Sequence, residues 1–450
     1  MMGKSIKCDI AIVGGGVVGI STAYWLSELY DCDILLIEKE SGIAFHQSSR
    51  NTGGVHRPVL EDPRHRVGRY QVKSFHLWRK IAEDHKLPWK TLGRLTVATE
   101  QEDVSFIEQS YKWGIANGVP EQELKLLDGN EMKTVEPNVR CVIGLLSATE
   151  TMTHYGELAG KVFALALNNG VRFARGLEVR QLREAHGKMK VVARDTATHT
   201  LFEIECSYLI NTAGGAALKL AKMLGLGNDY VDLQLRGDYW VVEGPPISSI
   251  TRNIYPITSH GIKGIDLSFT GPHLINRYDT MGGWQKQIGP TAAPVFGAYA
   301  YRGIAEGPKE FVTKFFGRPY GLKLKTFTKR DFISFAWNQW MMVNSKKNVV
   351  GYLNHCIPGL KESMIVGRGV TGVIVETLGR EGFLTEPTLI EGPSSVSVLY
   401  VGGATAAPAF AADLVTRLQR SGHLDGYHKK PSSMGASSWD FNFATDFKMP

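Results

Sequence analysis

A glycine-rich turn near the start of the chain constrains the fold more than any other feature. Asp9 to Val13 (DIAIV) reads as a short buried strand, Gly14-Gly15-Gly16-Val17-Val18-Gly19 follows, and Ile20 to Tyr30 carries apolar residues at helical spacing. A second apolar run, Asp33 to Ile37, ends in Glu38. Strand, glycine turn, helix, strand and acid together make a βαβ unit of the kind that holds a dinucleotide. Gly14 permits the tight turn, Gly16 lets a pyrophosphate approach the backbone, and Gly19 lets helix and strand pack closely. The helix N-terminus then presents free N–H groups and the positive end of its dipole to the phosphates. Glu38 lies where a carboxylate can accept hydrogen bonds from a ribose.

Two later segments read as further strands of the same domain. Tyr208 to Thr212 (YLINT) enters Ala213-Gly214-Gly215-Ala216 and then a helix through Leu218 to Leu224. Val398 to Val401 enters Gly402-Gly403-Ala404-Thr405, with a helix expected from Ala406 to Leu418. Small residues at the ends of parallel strands leave room for a ligand at the point where the strand order reverses. The expected fold is therefore α/β. Residues 1–85, 150–225 and 365–425 form a discontinuous nucleotide-binding domain, residues 86–149 and 226–364 an inserted substrate domain, and residues 426–450 a tail. Two amphipathic helices are expected between Glu100 and Pro137. The stretch 226–345 is expected to be an antiparallel sheet, on alternating runs such as Tyr239–Val242 and Gly264–Phe269. The tail, with Trp439, Phe441, Phe443 and Phe447, reads as packing on its own domain, with an anchor for a membrane or partner as the alternative.

Composition narrows the field. The chain has 51 basic and 44 acidic side chains, a formal charge of +7, with no Lys/Arg block dense enough for nucleic acid. The excess suits a small acidic substrate or an anionic membrane surface equally well. Five scattered cysteines with no Cys-x-x-Cys imply neither a disulfide framework nor a zinc site, so a reducing compartment is the plain reading. The N-terminus runs straight into a strand, leaving no room for a signal peptide, and no apolar run reaches the ~18 residues of a membrane span. The expectation is a cytoplasmic protein, soluble or peripheral at a membrane.

The sequence resembles flavoprotein oxidoreductases of the D-amino-acid oxidase type, which join this glycine motif to an antiparallel substrate sheet. Within that group it is similar to L-2-hydroxyglutarate dehydrogenases and, in some features, to malate:quinone oxidoreductases. The likeness runs from about residue 8 to about residue 420. It is carried by Ile37-Glu38-Lys39-Glu40, His46 to His56 (HQSSRNTGGVH), Leu92 to Thr99 (LGRLTVAT), Glu136-Pro137-Asn138, Leu235 to Trp240 (LRGDYW) and Ile254-Tyr255-Pro256. Ser48-Ser49 and Pro272 to Arg277 (PHLINR), followed by Gly289-Pro290, look closer to the malate:quinone pattern. The resemblance implies FAD, held by Gly14, Gly16, Gly19, Glu38, Lys39, Ser48, Ser49, Val179, Ala213, Gly214, Gly402, Gly403 and Ala404. It implies a small anionic 2-hydroxy acid as substrate and a quinone or similar acceptor, with membrane quinone as one source. One departure stands out: where the 2-hydroxyglutarate enzymes carry Gly-Val-Arg, this chain has Gly369-Val370-Thr371, and Arg368 precedes the glycine. That leaves the identity of the acid open.

Oxidising a secondary alcohol on a flavin needs a base for the hydroxyl proton and cations for the carboxylate. His suits the base and Arg the clamp. His56 follows the glycine-containing loop expected near the flavin. His273 and Arg277 are four apart on an expected strand, where period two puts both on one face. These three are the candidate catalytic residues. Arg236 reads as a structural or substrate residue, and Arg50, Arg57, Arg64, Arg66 and Arg69 read as a solvated face, with an anion funnel as the alternative. FAD is expected to be non-covalent, with His46 the one conceivable tether. Alternatives on the same architecture are an amine or amino-acid oxidase, a glycerol-3-phosphate dehydrogenase, and a flavin-binding interaction protein.

Overall fold

The computed structural model describes residues 2–257, 271–303, 319–430 and 439–447; the expected strand at 264–269 lies outside them. The first strand, Met2–Val13, sits at the centre of an eight-stranded sheet. It pairs in parallel with Ile34–Glu38 on one side and Leu201–Asn211 on the other. Arg172–Arg175 and Ser395–Leu399 extend the parallel part outward. A hairpin, Leu177–Ala185 and Lys188–Asp195, adds to the early part of Leu201–Asn211.

Such a sheet must be covered on both faces, and the first strand is apolar at consecutive positions for that reason. Ile10 and Ile12 enter one core with the helices, while Ala11 and Val13 enter another with the hairpin. The helix Val17–Leu29 follows the glycine turn, and Gly403–Arg420 packs beside it. Both start at the end of the sheet where the parallel strands finish.

The second sheet has ten strands and is almost wholly antiparallel. Its middle runs Ile365–Gly379, Val231–Val242, Gly283–Gly289, His273–Asp279, Asn253–Ile257 and Arg94–Ala98; only the last two pair in parallel. Two expectations are corrected. The strand Ile365–Gly379 pairs along Val231–Val242, so it belongs to the second sheet, and the nucleotide domain resumes only at Thr388–Gly392. Residues 320–345 are helical, as Tyr320–Phe327 and Arg330–Asn344. In the second of these Phe332, Gln339 and Val343 are buried, a helical period that the density of aromatics hides in the sequence. Between 100 and 137 the helices Val104–Ala116 and Gly129–Val135 flank a strand, Leu124–Asp128.

The described end of the chain is part of the nucleotide domain's core. Trp439 is buried, donates its indole N–H to the Leu77 carbonyl at 2.7 Å, and meets the rings of Tyr24, Trp25 and Trp78. Phe441 packs edge-on to Trp25. Trp439→Ala is expected to cost roughly 3–5 kcal/mol of stability, the usual penalty for emptying a large aromatic site. Urea denaturation checks this; a wild-type midpoint would mean that the tail only rests on the surface.

Candidate active site

The glycine turn is built around two backbone approaches that exclude side chains. Gly14 has φ +109°, and a Cβ there would lie 2.5 Å from the Thr212 carbonyl oxygen. A Cβ on Gly19 would lie 2.0 Å from the Gly14 carbonyl oxygen. The carboxylate of Glu38, buried at the end of its strand, accepts from the Gly15 N–H at 2.7 Å and the Glu40 N–H at 2.9 Å. Ser48 accepts from the Val17 N–H at 3.0 Å, so the loop from 44 to 54 starts against the first helix. At the other helix start Gly402 has φ +129° and Gly403 φ +63°, and a Cβ on Gly403 would meet nothing within 4 Å. Two helix N-termini therefore open at glycine beside the same loop, with the Glu38 and Ser48 side chains next to the first of them. This cradle fits a dinucleotide carrying a flavin.

The other expected cofactor residues fall in varied settings. Ser49 donates to the Ala44 carbonyl at 2.5 Å. Ala213 and Gly214 end the strand Leu201–Asn211, with Gly214 at φ +53°. Val179 pairs with Ala193 in the hairpin, next to a register shift. The Lys39 ammonium lies 4.0 Å over the Tyr299 ring and contacts Glu40. His46 is turned into this cluster, its Nδ1 2.7 Å from the Tyr301 hydroxyl and its Nε2 2.9 Å from Glu40. Burial and the Lys39 charge pull its pKa down to about 4.

The polar centre of the site forms around Glu150, whose carboxylate has no exposed surface. It accepts from the Arg57 N–H at 2.9 Å, lies 3.3 Å from the Arg94 guanidinium, and meets His56 Nδ1 at 2.6 Å. Burial alone would raise its pKa, but Arg94 and His56 hold it below the ordinary carboxylate value. An ionised carboxylate can only accept, so Nδ1 carries a hydrogen and donates it to Glu150. The backbone N–H of His56 donates to Thr405 Oγ1 at 3.2 Å, in the first turn of the Gly403 helix.

Beside His56 stands Tyr255, edge-on at 6.3 Å between ring centroids, and Tyr255 stacks on His273 at 3.8 Å. The Tyr255 hydroxyl and His273 Nε2 are both buried without a hydrogen-bond partner among the described residues. The His273 Nδ1–H donates to the Gly271 carbonyl at 3.0 Å, and burial pushes this pKa down to about 3. Arg277 donates to the Asn51 carbonyl at 2.9 Å and the Ser49 carbonyl at 3.0 Å. His273 thus joins the His56 cluster, while Arg277 reaches the loop that precedes it.

Sequence reasoning missed Glu150, Arg94 and Thr405. Glu150 lies 94 positions from His56, with no local pattern to link them. Of the arginine cluster expected as a solvated face, Arg64 and Arg66 are exposed, but Arg57 and Arg50 are engaged inside the fold. Arg57 is buried, pairs with Glu123 and stacks on Phe75, and Arg50 donates to the carbonyls of Phe45 and Thr371. Arg236 pairs with Asp238 at 2.8 Å, and Thr371 donates to the same carboxylate oxygen at 2.9 Å. Arg368 lies 3.5 Å over Trp240, in a different core from Tyr239 and Tyr255.

Comparison with known proteins shows the family of the chain. Residues 9–306 match the family described as FAD dependent oxidoreductase. The chain is 26% identical over 425 residues to the mitochondrial L-2-hydroxyglutarate dehydrogenase of Nematostella vectensis, covering 91% of this chain and 89% of that one. It is 26% identical over 295 residues to the L-2-hydroxyglutarate dehydrogenase of Escherichia coli K12, covering 65% and 66%. Among solved structures it is similar to the FAD-bound L-alpha-glycerophosphate oxidase of Mycoplasma pneumoniae, with TM-score 0.70, 21% identity and coverage of 94% and 97%. Glycine oxidase from Geobacillus kaustophilus superposes with TM-score 0.65 at 16% identity, covering 92% and 95%.

Two outcomes follow. Glu38→Ala removes a buried anion that organises the turn, and a lost hydrogen bond to a charged group typically costs about 1.5–3 kcal/mol. The variant is expected to purify with a measurably lower ratio of flavin to protein absorbance. His273 resists protonation when folded but accepts a proton when unfolded, so its contribution to stability is present above about pH 6.5 and lost as pH falls toward 3. His273→Phe is expected to flatten the decline in melting temperature across that window; an unchanged slope would place the loss elsewhere.

Proposed function

This chain belongs to the FAD-dependent oxidoreductase family, and from that premise we propose that it oxidises a small anionic 2-hydroxy acid, such as L-2-hydroxyglutarate or malate, to the 2-oxo acid. The observation that carries the reading is the 2.6 Å contact between His56 and the buried Glu150. Acceptance of the C2 hydride is the chemistry supplied by bound FAD. The hydroxyl proton is the chain's task. His56 Nε2 takes it, because Glu150 fixes the tautomer and stabilises the imidazolium that forms, the logic of a histidine oriented by a carboxylate.

The remaining groups bind and orient. The Tyr255 hydroxyl, buried and without a partner among the described residues, donates to the substrate carboxylate or hydroxyl oxygen. His273, uncharged at working pH, supports the Tyr255 ring from its other face. Arg94 and Arg277 give this face of the second sheet a positive potential suited to an anion. Arg277 acts chiefly as a positioning residue, holding the 49–51 loop. The cofactor is held non-covalently by the two glycine-opened helices, Glu38, Lys39, Ser48 and Ser49, with Val179, Ala213, Gly214 and Ala404 completing the contacts. Electrons leave to a quinone or similar acceptor, as the family likeness implies.

Anaerobic bleaching of the flavin absorbance tests the reading. The panel comprises L-2-hydroxyglutarate, malate, glycerol 3-phosphate, glycine and proline. Reduction by a hydroxy acid is expected; reduction only by an amine or only by the phosphate ester would overturn it. His56→Ala is expected to slow flavin reduction by ~10²–10⁴-fold while substrate still binds. Glu150→Gln is expected to act in the same range, since an amide can donate to Nδ1 and so force the imidazole hydrogen onto Nε2. Near-normal reduction in His56→Ala would assign the proton to another group.

A further inference from the structure

The helix Arg330–Asn344 buries Phe332, Gln339 and Val343 and turns another side to solvent. It is firmly seated: Phe332 packs in a core with Leu233, Leu235 and Leu378, and Gln339 accepts from the Ala292 N–H at 2.8 Å. On its outer side Ile333, Trp337 and Met341 follow one another at intervals of four residues and are 56%, 67% and 42% exposed. The preceding helix, Tyr320–Phe327, adds Tyr320 and Leu324, 55% and 58% exposed. Five of the thirteen exposed large hydrophobic side chains among the described residues thus fall within this one hairpin. Scattered exposed apolar residues are ordinary, but an aligned stripe of this kind marks a contact surface.

Charge identifies the contact. Between 319 and 347 the sequence has six basic side chains and one acid, Asp331. Lys325, Lys329, Arg330 and Lys347 are exposed around the stripe. A second copy meeting this face about a two-fold axis would bring like charges together, which disfavours it. At 15 residues the longer helix extends only ~22 Å, short of a ~30 Å hydrocarbon core, and no described helix is long and apolar enough to cross a membrane. Apolar stripe, outward tryptophan and basic rim are the features of a helix that lies in the plane of a bilayer surface. We propose that this hairpin docks the protein on an anionic phospholipid surface, with Trp337 and its neighbours entering the boundary between headgroups and acyl chains. Lysine and arginine near that surface are attracted to anionic lipids and weaken their hold as salt rises.

Co-sedimentation of the flavin-loaded full chain with vesicles tests this. One set is phosphatidylcholine alone and the other phosphatidylcholine mixed with phosphatidylglycerol. The protein is expected to pellet with the anionic vesicles, less so as salt is raised, and weakly with the neutral ones. Trp337→Ala and Ile333→Asp, both at exposed positions, are each expected to lower partitioning roughly tenfold or more while turnover with a dye acceptor is unchanged. Failure to pellet with anionic vesicles, or pelleting of both variants as fully as the wild type, would overturn the proposal. So would Trp337-dependent self-association in sedimentation velocity without lipid, which would assign the face to a second copy. None of these readouts depends on which substrate the enzyme oxidises.

Discussion

A single buried anion ties the two halves of this molecule together. Glu150 has no exposed surface, yet its surroundings keep it ionised, and such a group persists only where partners replace the lost water. Those partners come from separate segments: the His56 ring and Arg57 N–H from the loop beside the nucleotide cradle, and Arg94 from a strand of the second sheet. Removing one partner of a buried charge typically costs about 3–5 kcal/mol, so the position of His56 is strongly enforced. The same contact that orients the imidazole also fixes one domain against the other.

Around that anion the two sheets contribute different things. The parallel sheet supplies backbone: glycines whose approach distances admit no side chain, and two helix starts directed at one loop. The antiparallel sheet supplies side chains on one face, where Tyr255 and His273 stack beside His56 and Arg277 reaches the carbonyls of the 49–51 loop. The first arrangement suits a cofactor recognised mainly through phosphates and ribose, the second a small polar substrate whose few atoms must be gripped individually. The cofactor is FAD.

Buried polar atoms left without partners are uncommon, and here two of them, the Tyr255 hydroxyl and His273 Nε2, adjoin one catalytic candidate. Their cost is tolerable at a site completed by a ligand. On the outside of the second sheet, the helical hairpin at 320–344 shows the opposite condition, apolar side chains left in water above a well-packed base. Both read as surfaces shaped for something the isolated chain does not contain.

The sequence alone determined the βαβ unit, its glycines and Glu38, because each rests on spacing within about thirty residues and on local backbone sterics. His56 was also legible, from the loop that carries it, and the facing of His273 and Arg277 followed from the period of a strand. Tertiary structure decided the rest. Glu150 meets His56 across 94 positions of the chain, and Thr371 could be seen bonded to Asp238 only once two strands had paired. It also assigned Ile365–Gly379 to the second sheet and made 330–344 a helix, where aromatic density had suggested strands. The physical reason is common to the first three. Pairing of buried charges and of distant strands depends on distances in space, which the order of residues along the chain does not encode locally.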